Sequence, residues 1–195
     1  MLTFSAAGKS SDEIVMELAQ AFLTMIPGNL LQSEGFEELF IVNEQGLIPS
    51  LSTVLIQEME RFNTLLNKMR VLCQNLILAI QGLVVMSQEL DSMYQSLINN
   101  QVPKSWENVA YPSLKPLASW MRDLNDRVAF MDSWLKGGNP NCYWISGLFF
   151  PQGFLTGVLQ THARKYQIPI DQLNFSFKVL DVNNNQIFAK PTVPI

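Results

Sequence analysis

The chain has 195 residues, of which 48% are apolar and only 15% charged, and it carries a net charge of -4 with a pI near 5.0. An acidic chain with 13 scattered Lys and Arg lacks the basic stripe of a nucleic-acid binder. Its longest apolar stretches, around 83–86 and 142–150, fall well short of the roughly 20 residues that span a bilayer. So apolar a chain must bury a large core or hide a face against something else.

Residues 1–8 read as a loose start without the basic and apolar regions of a secretory leader. Ser10, Ser11, Asp12 and Glu13 then mark a helix start, because hydroxyls cap free N–H groups and acids suit the first turn. Ile14, Leu18, Ala21 and Met25 follow at helical spacing, with Phe22 beside Ala21, until Pro27 and Gly28 end the helix. Residues 30–40 are ambiguous, and 42–49 form a connection broken by Gly46 and Pro49.

The strongest periodicity runs over 51–81. Leu51, Leu55, Met59, Phe62, Leu66, Met69, Cys73, Leu76 and Ile80 recur every three to four residues. Val54, Leu65, Leu72 and Ile77 widen the stripe into a core-facing one. Such a helix is a strut of roughly 45 Å at 1.5 Å per residue. Gly82 interrupts it. Ser87 caps a second helix carrying Leu90, Met93, Leu97 and Ile98, closed by Asn99, Asn100 and Pro103.

A further helix is expected from Ser113, with Pro116 in its first turn and Leu117, Trp120, Leu124, Val128, Met131 and Leu135 inward. Gly137, Gly138, Asn139 and Pro140 stop it. Pro151 opens the last helix, on which Gly153 and Gly157 lie four apart and allow close approach of another backbone. Past Pro169 the period changes: Phe175, Phe177 and Val179 alternate with Ser176 and Lys178 as a strand, and Asn183, Asn184 and Asn185 suggest a hairpin turn. The fold class expected is mainly α: a helical layer with one long strut helix, ending in one or two β-strands.

Motifs for chemistry are weak. Gly8, Lys9 and Ser10 mimic the end of a phosphate-binding loop, but Thr3 stands where the motif needs glycine, so a capped helix start is the better reading. His162 is the sole histidine and gathers no metal-ligand cluster. A Cys142–His162 nucleophilic pair, as in a small cysteine hydrolase, has no orienting acid or glycine-flanked nucleophile to support it. Cys73 falls on the apolar face of the long helix as a buried thiol, and the two cysteines form no spacing motif, which fits a reducing compartment. Glu58, Glu60, Asp91, Asp123 and Asp126 are expected on solvated helix faces. No catalytic, cofactor-binding or metal-binding residue is assigned.

Long strings do carry a resemblance. WISGLFFPQGFLTGVLQTHARKYQIPID (144–171) resembles a signature near the C-terminus of axonemal dynein heavy chains, and YPSLKPLASWMRDLNDRVAFMDSWLKGGNP (111–140) resembles the segment before it. LIQEMERFNTLLNKMR (55–70) and IQGLVVMSQELD (80–91) are similar to the start of the same region. SSDEIVMELAQAFLTMIP (10–27) is similar to a helix in the lid of the sixth AAA+ module.

The resemblance implies a piece of a microtubule motor built on a six-module AAA+ ring. Residues 1–48 would close the sixth module's lid. Residues 49–195 would form the helical part of the C-terminal region and the first strands of a truncated barrel. ATP and Mg would belong to the upstream modules, with none bound by this segment.

The implied partners are the ring modules of the same heavy chain; the parent binds microtubules and intermediate and light chains, in the ciliary or flagellar axoneme. Trp144, Phe149, Phe150, Phe154 and Leu155 are the candidate interface. Self-association of the isolated segment is expected, since a missing ring leaves apolar surface and a cut barrel leaves a strand edge. The alternative is a free-standing helical adaptor that binds a separate protein.

Overall fold

The computed structural model describes residues 9–31 and 48–177. Six α-helices fill them: α1 (Ser11–Met25), α2 (Ser50–Ile80), α3 (Gln88–Ile98), α4 (Lys104–Glu107), α5 (Leu117–Gly137) and α6 (Pro151–Tyr166), with 3₁₀ turns at Ile145–Gly147 and Ile170–Gln172. The protein divides into two compact units, one of residues 1–30 and 61–128, the other of 31–60 and 129–195. Helices α2 and α5 are continuous through both.

In the first unit, Ser10 caps α1 as expected. Glu13 N–H donates to its Oγ at 3.2 Å, and Ser10 N–H donates to the Glu13 carboxylate at 2.8 Å, a reciprocal box that stabilises by about 1 kcal/mol. Lys9, read above against a phosphate-binding loop, pairs with Glu17 at 2.5 Å. The buried stripe of α1 is Val15, Ala19, Phe22 and Ile26, one residue on from the expected stripe. Both stripes are apolar, and packing against α3 selects between them.

Asn63 on α2 grips the backbone after α1: its Oδ1 accepts from Leu30 N–H at 2.7 Å and its Nδ2 donates to Leu30 O at 2.8 Å. Arg70 adds bonds to the Asn29 side chain at 2.6 Å and to the Pro27 carbonyl.

Short α4 has no counterpart among the expected helices. It delivers Trp106 to the core, edge-on to Phe22 at 5.9 Å and stacked on Trp120 at 6.0 Å. Tyr111 continues the stack on Trp120, and the Arg127 guanidinium lies 3.9 Å above the Tyr111 ring. Asp123 anchors this corner, accepting from Lys115 at 2.5 Å and Arg127 at 2.7 Å while only 6% exposed. That corrects the solvated-face expectation for Asp123: its spacing from Trp120 and Arg127 places it on the inward side of α5. Helix α5 begins at Leu117 and not at Ser113, because Pro116 has no N–H to give a preceding turn and restricts Lys115 to extended backbone.

In the second unit, Val54, Leu55, Met131, Trp134, Leu135, Leu148 and Phe154 make the core. Burial of each such residue stabilises by on the order of 1.5–3 kcal/mol. Gly157 lets α6 meet the start of α2: a Cβ there would sit 3.1 Å from Val54 Cγ2. Gln167, left-handed at φ 53°, ends α6, with the Ile168 N–H returning to Ala163 O at 3.1 Å. Phe175 and Phe177 stack at 6.0 Å, on one side as alternation requires, but no described residue is in a strand. The remainder of the expected hairpin, and the ambiguous 32–40 segment, lie outside the described residues. Among the described residues no helix is long and apolar enough to cross a membrane.

Candidate functional site: the aromatic turn before α6

Of the expected interface residues, Trp144, Phe149 and Phe150 lie in the turn before α6, and Phe154 and Leu155 on α6 itself, all in the second unit. After α5, Gly138 at φ 72° turns the backbone, and Asn139 Oδ1 accepts from Trp134 Nε1 at 3.2 Å. Tyr143 then packs edge-on to Trp134 at 5.1 Å and against Phe154 at 4.9 Å. Trp144 lies edge-on to Phe130 at 6.3 Å and donates its indole N–H to Ser146 Oγ at 2.8 Å. Gly147 is required where the turn passes under this indole, since a Cβ would come within 2.7 Å of the ring.

The turn is held from α2 by Glu58. Its two carboxylate oxygens accept the backbone N–H of Phe149 at 2.6 Å and of Phe150 at 2.8 Å. Phe150 is the N-cap of α6 and Phe149 precedes it, so a negative charge there satisfies two amides at the helix entrance and offsets the positive end of the helix dipole. Glu58 is only 1% exposed. This overturns its expected solvated position. The signal was present in the spacing, because Leu55, Glu58 and Phe62 fall on one inward stripe of α2.

The clamp sorts the five candidates. Phe154 is in the core, while Trp144, Phe149 and Leu155 are half-buried. Phe150 leaves 47% of its surface exposed, and its ring lies over Gly153. Phe150 also borders a cleft of about 480 Å³ between the start of α2 and α6, lined by Ser50, Thr53, Gln57, Gln160 and Arg164 among others. Ile48 and Val54 also line it, so the cleft is largely apolar with one cation, Arg164, at its edge, and its lining offers no nucleophile–base pair.

The other candidate chemistry is distributed over α6, the loop after α5 and α2. His162 packs on Tyr166 at 4.5 Å within α6, and Cys142 is exposed in the loop after α5. Cys73 is buried on α2, and burial pushes its thiol up to about 12. No group of three or more His, Cys, Asp or Glu among the described residues is arranged to hold a metal ion.

A profile of the C-terminal domain of dynein heavy chains matches residues 2–193. The protein belongs to this family. It is 53% identical over 179 residues to dynein axonemal heavy chain 6 of Homo sapiens, covering 92% of its own length. It is 45% identical over 188 residues to dynein axonemal heavy chain 1 of Rattus norvegicus, covering 96%. To dynein axonemal heavy chain 3 of Homo sapiens it is 44% identical over 173 residues, covering 89%. It spans 4% of the length of each of these relatives. The family match includes the aromatic turn, the Glu58 clamp and both continuous helices.

Proposed function

We propose that this protein is a non-catalytic structural and regulatory segment of a dynein heavy chain, bracing the AAA+ ring of an ATP-driven microtubule motor in the ciliary or flagellar axoneme. The observation that carries the reading is the family match over nearly all of its residues. The fold is consistent with it: α2 is 31 residues long, about 46 Å, and contributes residues to both units. A strut of that kind transmits force or position between modules, which loops do not.

On this reading residues 1–48 belong to the lid of the sixth module and residues 49–195 to the C-terminal region. ATP and Mg are handled by the upstream modules. Microtubules and the intermediate and light chains are partners of the whole motor. The turn at Phe149 and Phe150, rigidified by Glu58, is the contact offered to the ring.

The test is a pull-down of this protein against separately expressed ring modules of its heavy chain, with ATPase activity as readout. Binding that alters the ATPase rate, and that weakens when Phe150 is changed to Ser, is the expected result. Saturable ATP binding by the segment itself at micromolar concentration would refute the non-catalytic reading. Capture of a separate protein with no effect on the ring would favour the adaptor.

A further inference from the structure

The cleft that Phe150 borders carries positive charge that the described residues leave uncompensated. Helix α2 begins at Ser50, so the positive end of its dipole opens at this cleft, and its first turn holds no acid. Arg164, from the last turn of α6, lines the same cleft, and none of the lining residues is acidic. Arg164 makes no ion pair among the described residues. Glu58, one position past Gln57, has both carboxylate oxygens on the Phe149 and Phe150 amides.

Ser50 points independently to a ligand. It lines the cleft and is only 8% exposed, and its hydroxyl has no hydrogen-bond partner among the described residues. The other two hydroxyls of the lining are occupied: Thr53 donates to Pro49 O at 3.3 Å and Thr156 to Gln152 O at 3.0 Å. A nearly buried hydroxyl left open beside a helix N-terminus and a guanidinium is a donor set without its acceptor.

We propose that this cleft binds an organic monocarboxylate with an apolar body. Arg164 and the Ser50 hydroxyl donate to the carboxylate, whose charge also offsets the α2 dipole, while Ile48, Val54 and Phe150 cover the apolar part. One guanidinium matches one carboxylate in charge and shape, whereas a phosphate dianion would leave a charge over apolar walls. The volume of about 480 Å³ lies within the roughly 300–1,000 Å³ of small-molecule sites. The cleft belongs wholly to the second unit, so binding there does not depend on the bracing function.

The test is photolabelling of the full heavy chain with a decanoate that carries a diazirine in its alkyl chain. Irradiation releases dinitrogen, the carbene inserts into a neighbouring side chain, and labelled peptides are read by mass spectrometry. The expected result is saturable labelling of peptides from 48–57 and 150–164. Excess decanoate displaces it, and neither decanol nor inorganic phosphate does. Arg164→Gln weakens labelling at least about tenfold, as loss of a charge-assisted pair requires. Ser50→Ala weakens it less. Arg164 is exposed, so its replacement leaves the fold intact, and the competition on the unaltered protein needs no variant.

Labelling spread evenly over the heavy chain, or absent from these peptides because another part of the chain fills the cleft, overturns the site. Displacement by decanol as effective as by decanoate reduces it to an apolar groove with no carboxylate recognition. Displacement by phosphate makes it an inorganic-anion site, and unchanged labelling of Arg164→Gln removes the cation from it. Each of these three results also overturns the proposal.

Discussion

Replacing Glu58 by alanine removes both acceptors for the Phe149 and Phe150 amides and leaves two partly buried backbone donors unsatisfied just ahead of α6. A hydrogen bond to a charged group contributes about 1.5–3 kcal/mol, and a partly buried charge at a helix N-terminus about 1 kcal/mol more. Local relaxation and water entry recover part of this, so the expected loss is about 3–4 kcal/mol. Glu58→Gln keeps one carbonyl acceptor at nearly the same volume but turns an NH₂ group toward the second donor, for an expected loss of about 2 kcal/mol.

Urea unfolding followed by near-ultraviolet circular dichroism reports on this region, because Trp134, Tyr143 and Trp144 lie in the same cluster. With a slope of about 2 kcal/mol per molar urea, the alanine variant's midpoint falls by about 1.5–2 M and the glutamine variant's by about 1 M. The order wild type, Gln, Ala is the signature of an acceptor role. A Glu58→Ala midpoint within about 0.2 M of wild type would refute it. So would Glu58→Leu being as stable as wild type, since burial alone would then account for the site.

Three further predictions concern other parts of the fold. Burial pushes the Asp123 carboxyl up, but hydrogen bonds from Lys115 and Arg127, the Arg127 charge and a bond from Tyr111 outweigh it and hold the group below its ordinary value of 3.8. A lowered folded value means stability that is full above the unfolded value and lost as pH falls through the folded one. Asp123→Asn is therefore less stable than wild type at pH 7, and thermal melts of the two converge as pH drops below about 4. Gly157→Leu forces a bulky group against Val54 and lowers stability by about 1–3 kcal/mol, read as a fall in melting temperature. Maleimide at pH 7 labels one thiol quickly, Cys142, and reaches Cys73 only on unfolding. Two fast thiols would contradict the buried position of Cys73.

Much of the fold was legible because it rests on local chemistry. The Ser10 and Ser87 caps, the 31-residue α2, the stop at Gly137 and Gly138, and the opening of α6 at Pro151 each follow from residues adjacent in the sequence. Most of what was missed depends on packing partners and not on residue type. Glu58 and Asp123 read as surface acids because carboxylates usually are. Their burial depends on amides 91 and 92 residues away for Glu58, and on Lys115 and Arg127 together for Asp123. The choice between adjacent apolar stripes on α1 was made by α3, which no window on α1 contains. Trp106 sits in a four-residue helix too short to show a period. The exposed turn at Leu83 to Met86 was visible as an apolar run, but only the structure shows that it points away from its own core.

The central claim, that this segment regulates a ring without chemistry of its own, is tested most directly in the parent motor. Nucleotide binding, microtubule-stimulated ATPase and gliding velocity are measured with and without the segment. The account predicts unchanged nucleotide occupancy together with an ATPase rate and velocity that shift at least twofold on deletion. Loss of nucleotide binding in proportion to activity would place chemistry in this segment, and an unchanged rate and velocity would remove its regulatory role.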